Sequence, residues 1–367
     1  MKISIGSKIV DGPWGGGNLF IKNITEYLIS HGHKVINNLS EADIDLILLT
    51  DPRDRKESSS TFNHIDIEKY KKYINKNVKV VQRINECDER KGTVGVNDLY
   101  LAASKNADRV IFVSSWLENI YLNLGMDKEK TTVVLAGANS SVFNNSDSSQ
   151  WIKSTKLKLV THHWSAHENK GFKYYQEINN LVTSKKWNGQ IEFTYIGNVH
   201  SDYDLNNTRI IEPLTGKELA AAIKENHVYV TGTINEPSGN HHIEAAQCGL
   251  PILYLESGGV PEYCDKYGVS FKNDIEKSLE MLIHNYGEYR DKLKKYPHNS
   301  NKMCHEFLSC FQELVGHNSS IKNERISLKG YIYLLKIKSI AVFRDNIYAK
   351  SKNIIKNIIK NLIKQKI

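Results

Sequence analysis

The sequence predicts an α/β protein made of two doubly wound parallel-sheet domains that face each other across a cleft, followed by a basic helical tail. Three observations lead there. At 367 residues the chain exceeds what one hydrophobic core organises and suits two domains of ordinary size. Short β-rich apolar runs alternate with longer segments of helical pattern, as parallel strands joined by crossover helices require. The alternation also stops at a polar stretch near the middle and then starts again. These breaks assign residues 1–150 to one domain, 151–320 to a second and 321–367 to the tail.

In the first domain the apolar runs are ISI at 3–5, DLILL at 45–49, VKVV at 78–81, RVIFV at 109–113 and TVVL at 132–135. Between the first two lies DGPWGGGNLFIKNITEYLISHGHKV, from Asp11 to Val35. It reads as a glycine loop, a helix with Leu19, Ile24, Leu28 and Ile29 at helical spacing, and Gly32 as the stop. Glycines at a strand-to-helix turn let backbone N–H groups approach an anion, and the helix dipole favours negative charge there. Gly16 and Gly17 are therefore candidates for holding a phosphate or sugar. A nicotinamide dinucleotide fits this loop poorly: GxGxxG begun at Gly15 puts Phe20 at the third glycine, and Asn37 and Asn38 stand where a ribose-binding carboxylate belongs. The polar stretch NSSVFNNSDSSQW, Asn139 to Trp151, is the expected linker.

The second domain repeats the scheme with KLKLV at 156–160, IEFTYIG at 191–197, HVYVT at 227–231 and PILYL at 251–255. Ligands of such sheets bind beyond the carboxyl ends of the strands, so the cleft is where chemistry is expected. Between the last two runs, EPSGNHHIEAAQCGLP carries Glu236 and Glu244. In one continuous helix these would stand about 80° and about 12 Å apart. Pro237, Ser238 and Gly239 instead move the helix start to between Ser238 and His241. Glu236 then precedes the helix, Glu244 lies on its first or second turn, and Gly249 closes it. Two carboxylates flanking a helix N-terminus suit a nucleotide sugar. They accept from sugar and ribose hydroxyls, while the N–H groups and dipole take the diphosphate.

The Glu-x7-Glu spacing with GLP, and SGGVPEY from Ser257 to Tyr263, resembles the family 4 retaining glycosyltransferases of the two-domain GT-B fold. So do the GGGN loop with GHKV, ADRVIFVSSWLENIYLNLG from Ala107 to Gly125 and VVLAGANSSVF from Val133 to Phe143; the likeness covers about residues 1 to 300. It implies two Rossmann-like domains, the first on the acceptor side and the second on the donor side. It also implies that Glu236 lies by the donor sugar, that Glu244 lies by the ribose, and that Ser238, Gly239 and Asn240 meet sugar or phosphate. The family's diphosphate clamp is an arginine followed by a lysine. Only the lysine is matched, by Lys170 in ENKGF; THHWSAHENKGF offers His162, His163 and His167 instead, with His163 as the donor-side candidate. A histidine that many members carry after the fourth strand is also missing. VVQRINECDERKGT supplies Arg83, Asn85 and Asp88 in its place, and Arg83 and Asp88 join Glu236 as catalytic candidates.

The resemblance implies transfer of a sugar from a nucleotide diphosphate donor to an acceptor hydroxyl with retention of configuration, and Lys-, Asn- and Ile-rich usage with the basic tail points to a glycan or lipid-linked acceptor in bacterial surface polysaccharide biosynthesis. Alternatives are an epimerase or phosphorylase of the same fold, or a non-catalytic scaffold that binds the nucleotide sugar. No metal or other cofactor is expected: His163 and His167 have helical spacing but no HExxH glutamate and no third ligand. His241 and His242 point about 100° apart on a helix and cannot share one ion.

Composition bounds the rest. No apolar run approaches the roughly 18 residues of a membrane span, and MKISIGSKIVDG lacks the apolar segment of a secretory leader, so a cytoplasmic location is expected. Cys87, Cys248, Cys264, Cys304 and Cys310 are odd in number and include no CxxC pair, which argues for reduced thiols. Residues 321–367 hold ten lysines and two arginines against Glu324 and Asp345, a net +10 in a chain of +8, which leaves residues 1–320 at −2. Within that tail, residues 351–367 alternate isoleucines and leucine with lysines every four residues. This is the pattern of an amphipathic helix on an anionic membrane surface, so peripheral attachment to the inner face is expected. No nucleic-acid recognition motif accompanies the charge.

Overall fold

In the computed structural model, residues 1–10, 15–53, 59–316 and 327–339 are described. They form two six-stranded sheets in which every strand pairing is parallel. The first contains β1 (Lys2–Ile5), β2 (Lys34–Ile36), β3 (Leu46–Leu49), β4 (Lys79–Ile84), β5 (Arg109–Phe112) and β6 (Thr131–Val133), in the order β2-β1-β3-β4-β5-β6. The second contains β7 (Leu157–His163), β8 (Ile191–Gly197), β9 (Arg209–Ile211), β10 (Val228–Thr231), β11 (Ile252–Leu255) and β12 (Gly268–Phe271), in the order β12-β11-β10-β7-β8-β9. Strands β3, β10 and β11 are buried at every residue, because helices cover both faces of each sheet. Strand order reverses between β1 and β3 in the first sheet and between β7 and β10 in the second, and these are the points where such sheets open a crevice.

Helices α1 (Gly16–Ser30), α2 (His64–Tyr73), α3 (Val96–Ser104) and α4 (Ser115–Asn123) belong to the first half. The second half carries α5 (Phe172–Val182), α6 (Gly216–Lys224), α7 (Asn240–Gln247), α8 (Val260–Cys264), α9 (Ile275–His284) and α10 (Tyr286–Leu293). Two more follow, α11 (Ser300–Val315) and α12 over residues 328–339. Helix α1 buries Phe20, Ile21, Ile24 and Leu28 and leaves Leu19 and Ile29 exposed. Its inner stripe is therefore rotated from the expected one, because Phe20 packs on Phe307 of α11, ring centroids 5.1 Å apart.

That contact also revises the domain limits. The chain leaves the first domain at Ala138 and comes back at Asn299, where Ala138 N–H donates to the His298 carbonyl (3.2 Å) and Ser300 N–H to the Ala138 carbonyl (2.8 Å). A Cβ on Gly137 would fall 2.2 Å from the Asn299 carbonyl oxygen, so only glycine allows this approach. Helix α11 then completes the first domain, with Arg109 paired to Glu313 at 3.0 Å, although the sequence placed its residues in the second. The expected linker is not free chain: Phe143 is buried, and Ser149 N–H donates to the Lys224 carbonyl at 2.8 Å. Across the domain boundary Glu262 accepts from the Ser115 and Trp116 N–H groups (2.8 and 2.9 Å) and so caps α4 from the opposite domain. Tyr263 donates to the Val113 carbonyl and accepts from Ala136 N–H. All five cysteines are buried and unpaired. The amphipathic segment expected over 351–367 lies outside the described residues.

Candidate functional site

The site is built where strand order reverses in the second sheet, from the loops that follow β7 and β10. After β7 a short 3₁₀ turn, Glu168–Lys170, is capped by His167, whose ring accepts from Asn169 N–H at 3.2 Å. Gly171 ends the turn at φ +91; a Cβ there would meet the Gly232 carbonyl oxygen at 2.2 Å, so this loop lies directly on the end of β10. Ile234 N–H donates to the Asn169 carbonyl (2.9 Å) and locks the two loops together. Lys170 is thereby carried to Glu236, with Nζ to Oε2 at 2.6 Å.

Glu236 sits in the loop that leads into α7, and α7 begins at Asn240, inside the interval the turn residues predict. Gly239 takes φ +71, and a Cβ on it would press on His241, His242 and Glu236 at 2.7–3.0 Å. The Glu236 carbonyl accepts from Gly259 N–H (2.9 Å), so SGGV braces the loop from behind. The carboxylate is 6% exposed. Burial alone would raise its pKa, but Lys170 and Arg90 outweigh burial and hold the carboxyl at about 2.

Arg90 comes from the other domain. Its Nε lies 3.3 Å from Glu236 Oε1, while its Nη1 pairs with Glu86 at 3.0 Å. Two further bonds pin the same loop across the cleft: Asn169 Nδ2 donates to the Arg90 carbonyl (2.8 Å) and Asn235 Nδ2 to the Glu89 carbonyl (3.0 Å). The loop owes its shape to Asp88. That carboxylate accepts from Val96 and Asn97 N–H at the start of α3, both at 3.0 Å, and from the Thr93 hydroxyl at 2.8 Å. Asp88, expected among the catalytic candidates, is taken up by this capping role, and the charge that reaches the site from its turn is Arg90.

The other expected residues separate. Glu244 is 5% exposed on the second turn of α7 and pairs with His162 Nε2 at 3.0 Å. The other ring nitrogen, His162 Nδ1, stands 3.2 Å from the Tyr229 hydroxyl, so the imidazole is held between Tyr229 and Glu244. His163, the expected donor ligand, points away from Glu244 because β7 runs to His163 and alternates its side chains. Its Nε2 meets the Tyr175 hydroxyl at 2.5 Å, and burial holds the imidazole well below its usual range. His241 bonds Thr231 at 3.0 Å, while His242 Nε2 is buried without a partner among the described residues, its pKa pulled down to about 3 chiefly by burial. Among the described residues no group of His, Cys, Asp or Glu has the arrangement of a metal site.

Arg83, near the end of β4, is 5% exposed with its guanidinium 4.1 Å from the Phe20 ring centroid; its Nε has no partner among the described residues, and burial lowers its pKa to about 10. Asn85 follows it, half-buried. Gly16 opens α1 opposite α7: a Cβ on Gly16 would lie 3.0 Å from Asn240 Oδ1, whereas Gly17 faces open space. The N-termini of α1 and α7 thus face each other across the cleft. The Gly239 and Asn240 N–H groups have no protein acceptor among the described residues. Ser238 neighbours the Tyr263 hydroxyl.

No protein-family model and no curated protein matches this sequence. Solved structures do resemble it. A sucrose-phosphate synthase from Thermosynechococcus elongatus superposes with a TM-score of 0.63 at 13% identity, over 85% of this chain and 98% of that one. Anabaena Alr3699/HepE in complex with UDP and glucose gives 0.60 at 12%, over 85% and 99%. The lipopolysaccharide outer core galactosyltransferase WaaB, in its apo form, gives 0.61 at 11%, over 85% and 100%. At such identities the likeness is one of fold: the chain has the GT-B arrangement of two Rossmann-like domains facing across a cleft.

Proposed function

We propose that the protein is a glycosyltransferase that moves a sugar from a nucleotide diphosphate donor to an acceptor hydroxyl with retention of anomeric configuration. The observation that carries this reading is the buried Glu236 carboxylate held between Lys170 of one domain and Arg90 of the other, beside the unpaired N–H groups that start α7. The donor diphosphate takes over Lys170, the Gly239 and Asn240 N–H groups and the dipole of α7, as negative charge grows on the departing nucleotide. Arg90 supplies the cation that the family places in the second domain, so the clamp is complete only when the domains meet. Glu236, released from its cations but still ionised, then faces the sugar ring as that ring gains positive charge. Glu244, oriented by His162, accepts from the ribose hydroxyls. No step requires a metal.

The acceptor side falls to the first domain, where Arg83 offers a buried cation over Phe20. A glycan or lipid-linked acceptor in bacterial surface polysaccharide assembly, met at the cytoplasmic face of the membrane, suits the resemblance and the basic tail. One neighbour was solved with UDP and glucose, which makes UDP-sugars the first donors to test. Thermal unfolding in the presence of a panel of nucleotide sugars tests the reading. A true donor at 100 times its Kd stabilises the fold by about 2.7 kcal/mol, and release of nucleoside diphosphate on adding an acceptor separates an enzyme from a scaffold. If no nucleotide sugar raises the melting temperature, the reading fails.

A further inference from the structure

Helix α12 is apolar on two opposite sides. Ser327 opens it, its hydroxyl accepting from Gly330 N–H at 3.1 Å. At about 100° per residue, Gly330, Tyr333, Leu334 and Ile337 share one side, and that side lies on the first domain. The Tyr333 ring is 5.8 Å from Tyr73 of α2, Leu334 is buried, and Ile337 packs on that domain's core. The opposite side carries Leu328, Tyr331, Ile332 and Leu335, spaced i, i+3, i+4, i+7, and they are 76, 56, 58 and 50% exposed. The remaining exposed large hydrophobic residues among those described are scattered along the chain, so this is the stripe that needs a partner.

The charges bordering the stripe identify that partner. Lys329 and Lys336 stand about 80–100° to one side of it and Lys338 about 80° to the other, all three exposed and without an ion pair among the described residues. Residues 328–339 contain no acidic side chain, and residues 340–367 add six lysines and Arg344 against Asp345. An apolar stripe with ammonium groups along both margins matches the boundary of an anionic bilayer, where the stripe enters the acyl region and the lysines meet phosphates. A second copy of the chain would set lysines against lysines. We propose that α12 docks the first domain on an anionic lipid bilayer. This surface stands apart from the sugar-donor reading, and its test does not involve a nucleotide sugar.

The test is sedimentation of the full chain with vesicles of phosphatidylcholine alone or mixed with phosphatidylglycerol. The wild type is expected to partition to the mixed vesicles. Combined Leu328→Ser, Ile332→Ser and Leu335→Ser should lower that partition at least about tenfold, since each removes apolar contact with the acyl boundary. Combined Lys329→Gln, Lys336→Gln and Lys338→Gln should lower it by about fivefold per lysine on mixed vesicles, the equivalent of about 1 kcal/mol each, with no change on phosphatidylcholine. All six side chains are exposed, so both variants should melt as the wild type does. Wild-type protein that stays in the supernatant, or an apolar-stripe variant that partitions unchanged, overturns the proposal. Lipid-free dimerisation that the serine variant abolishes also overturns it, because the stripe would then belong to a second copy.

Discussion

Replacing Glu236 with glutamine keeps the shape of the side chain and removes its charge, so it isolates the electrostatic role of this residue. The carboxyl is held at about 2 against an ordinary 4.5, with burial overcome by Lys170 and Arg90. Each pH unit of lowering corresponds to about 1.4 kcal/mol, so the charged carboxylate contributes about 3 kcal/mol at neutral pH. The sign follows from linkage: a carboxyl lowered on folding stabilises the fold above its unfolded pKa and loses that contribution as pH falls through the folded value. Glu236→Gln should therefore cost about 3 kcal/mol at pH 7. The gap should narrow to roughly half near pH 3, as the unfolded carboxyl protonates. Urea denaturation of both proteins across that range measures it. Kinetically, kcat should fall by about 10²-fold, as when other preorganised charges are removed, while UDP alone should bind at least as tightly because Lys170 and Arg90 lose their competitor. A stability gap that does not depend on pH, or an unchanged kcat, would refute the reasoning.

Other expectations follow from the same geometry. On the proposed ribose role, Glu244→Gln would remove bonds made equally in ground and transition states, so it should raise the donor KM with kcat little changed; steady-state kinetics with one donor decides. Arg90→Ala should lower kcat/KM for the donor by about 10-fold or more while leaving the second domain's own fold intact, and a twofold or smaller change would take Arg90 out of the clamp. Turnover should survive EDTA; a rate lost to the chelator and restored by Mg²⁺ would reverse the metal-free mechanism.

Much of this site is legible in the sequence because Pro237, Ser238 and Gly239 dictate where a helix can start, and that alone separates the two glutamates. The inner strands are legible too, since strands covered on both faces read as unbroken apolar runs. Strand β9, with two exposed residues in RII at a sheet margin, gives no such run, and neither does β12, GVSF. Strand β7 extends through Thr161, His162 and His163, polar residues that hide its end; without that end, which histidine reaches Glu244 cannot be read. Arg90 was within view in ECDER. Its pairing with Glu236, however, depends on how two domains meet, which local pattern does not encode. The partner of α11 is hidden for the same reason: periodicity announces a helix and is silent about which domain receives it.

The paired crossings at Ala138 and Asn299 make the second domain, in the path of the chain, a cassette inserted into the first. Adjacent hydrogen-bonded strands stand only about 5 Å apart, so joining Gly137 to Ser300 directly would close the first domain into a self-contained unit that keeps α11 and α12. A foreign cassette whose ends lie equally close could be grafted at the same seam. It would need to bring a carboxylate for the Ser115 and Trp116 N–H groups and a hydroxyl for Val113. On the proposed function, donor recognition could then be exchanged by recombination at two neighbouring peptide bonds, with the first domain left as it is.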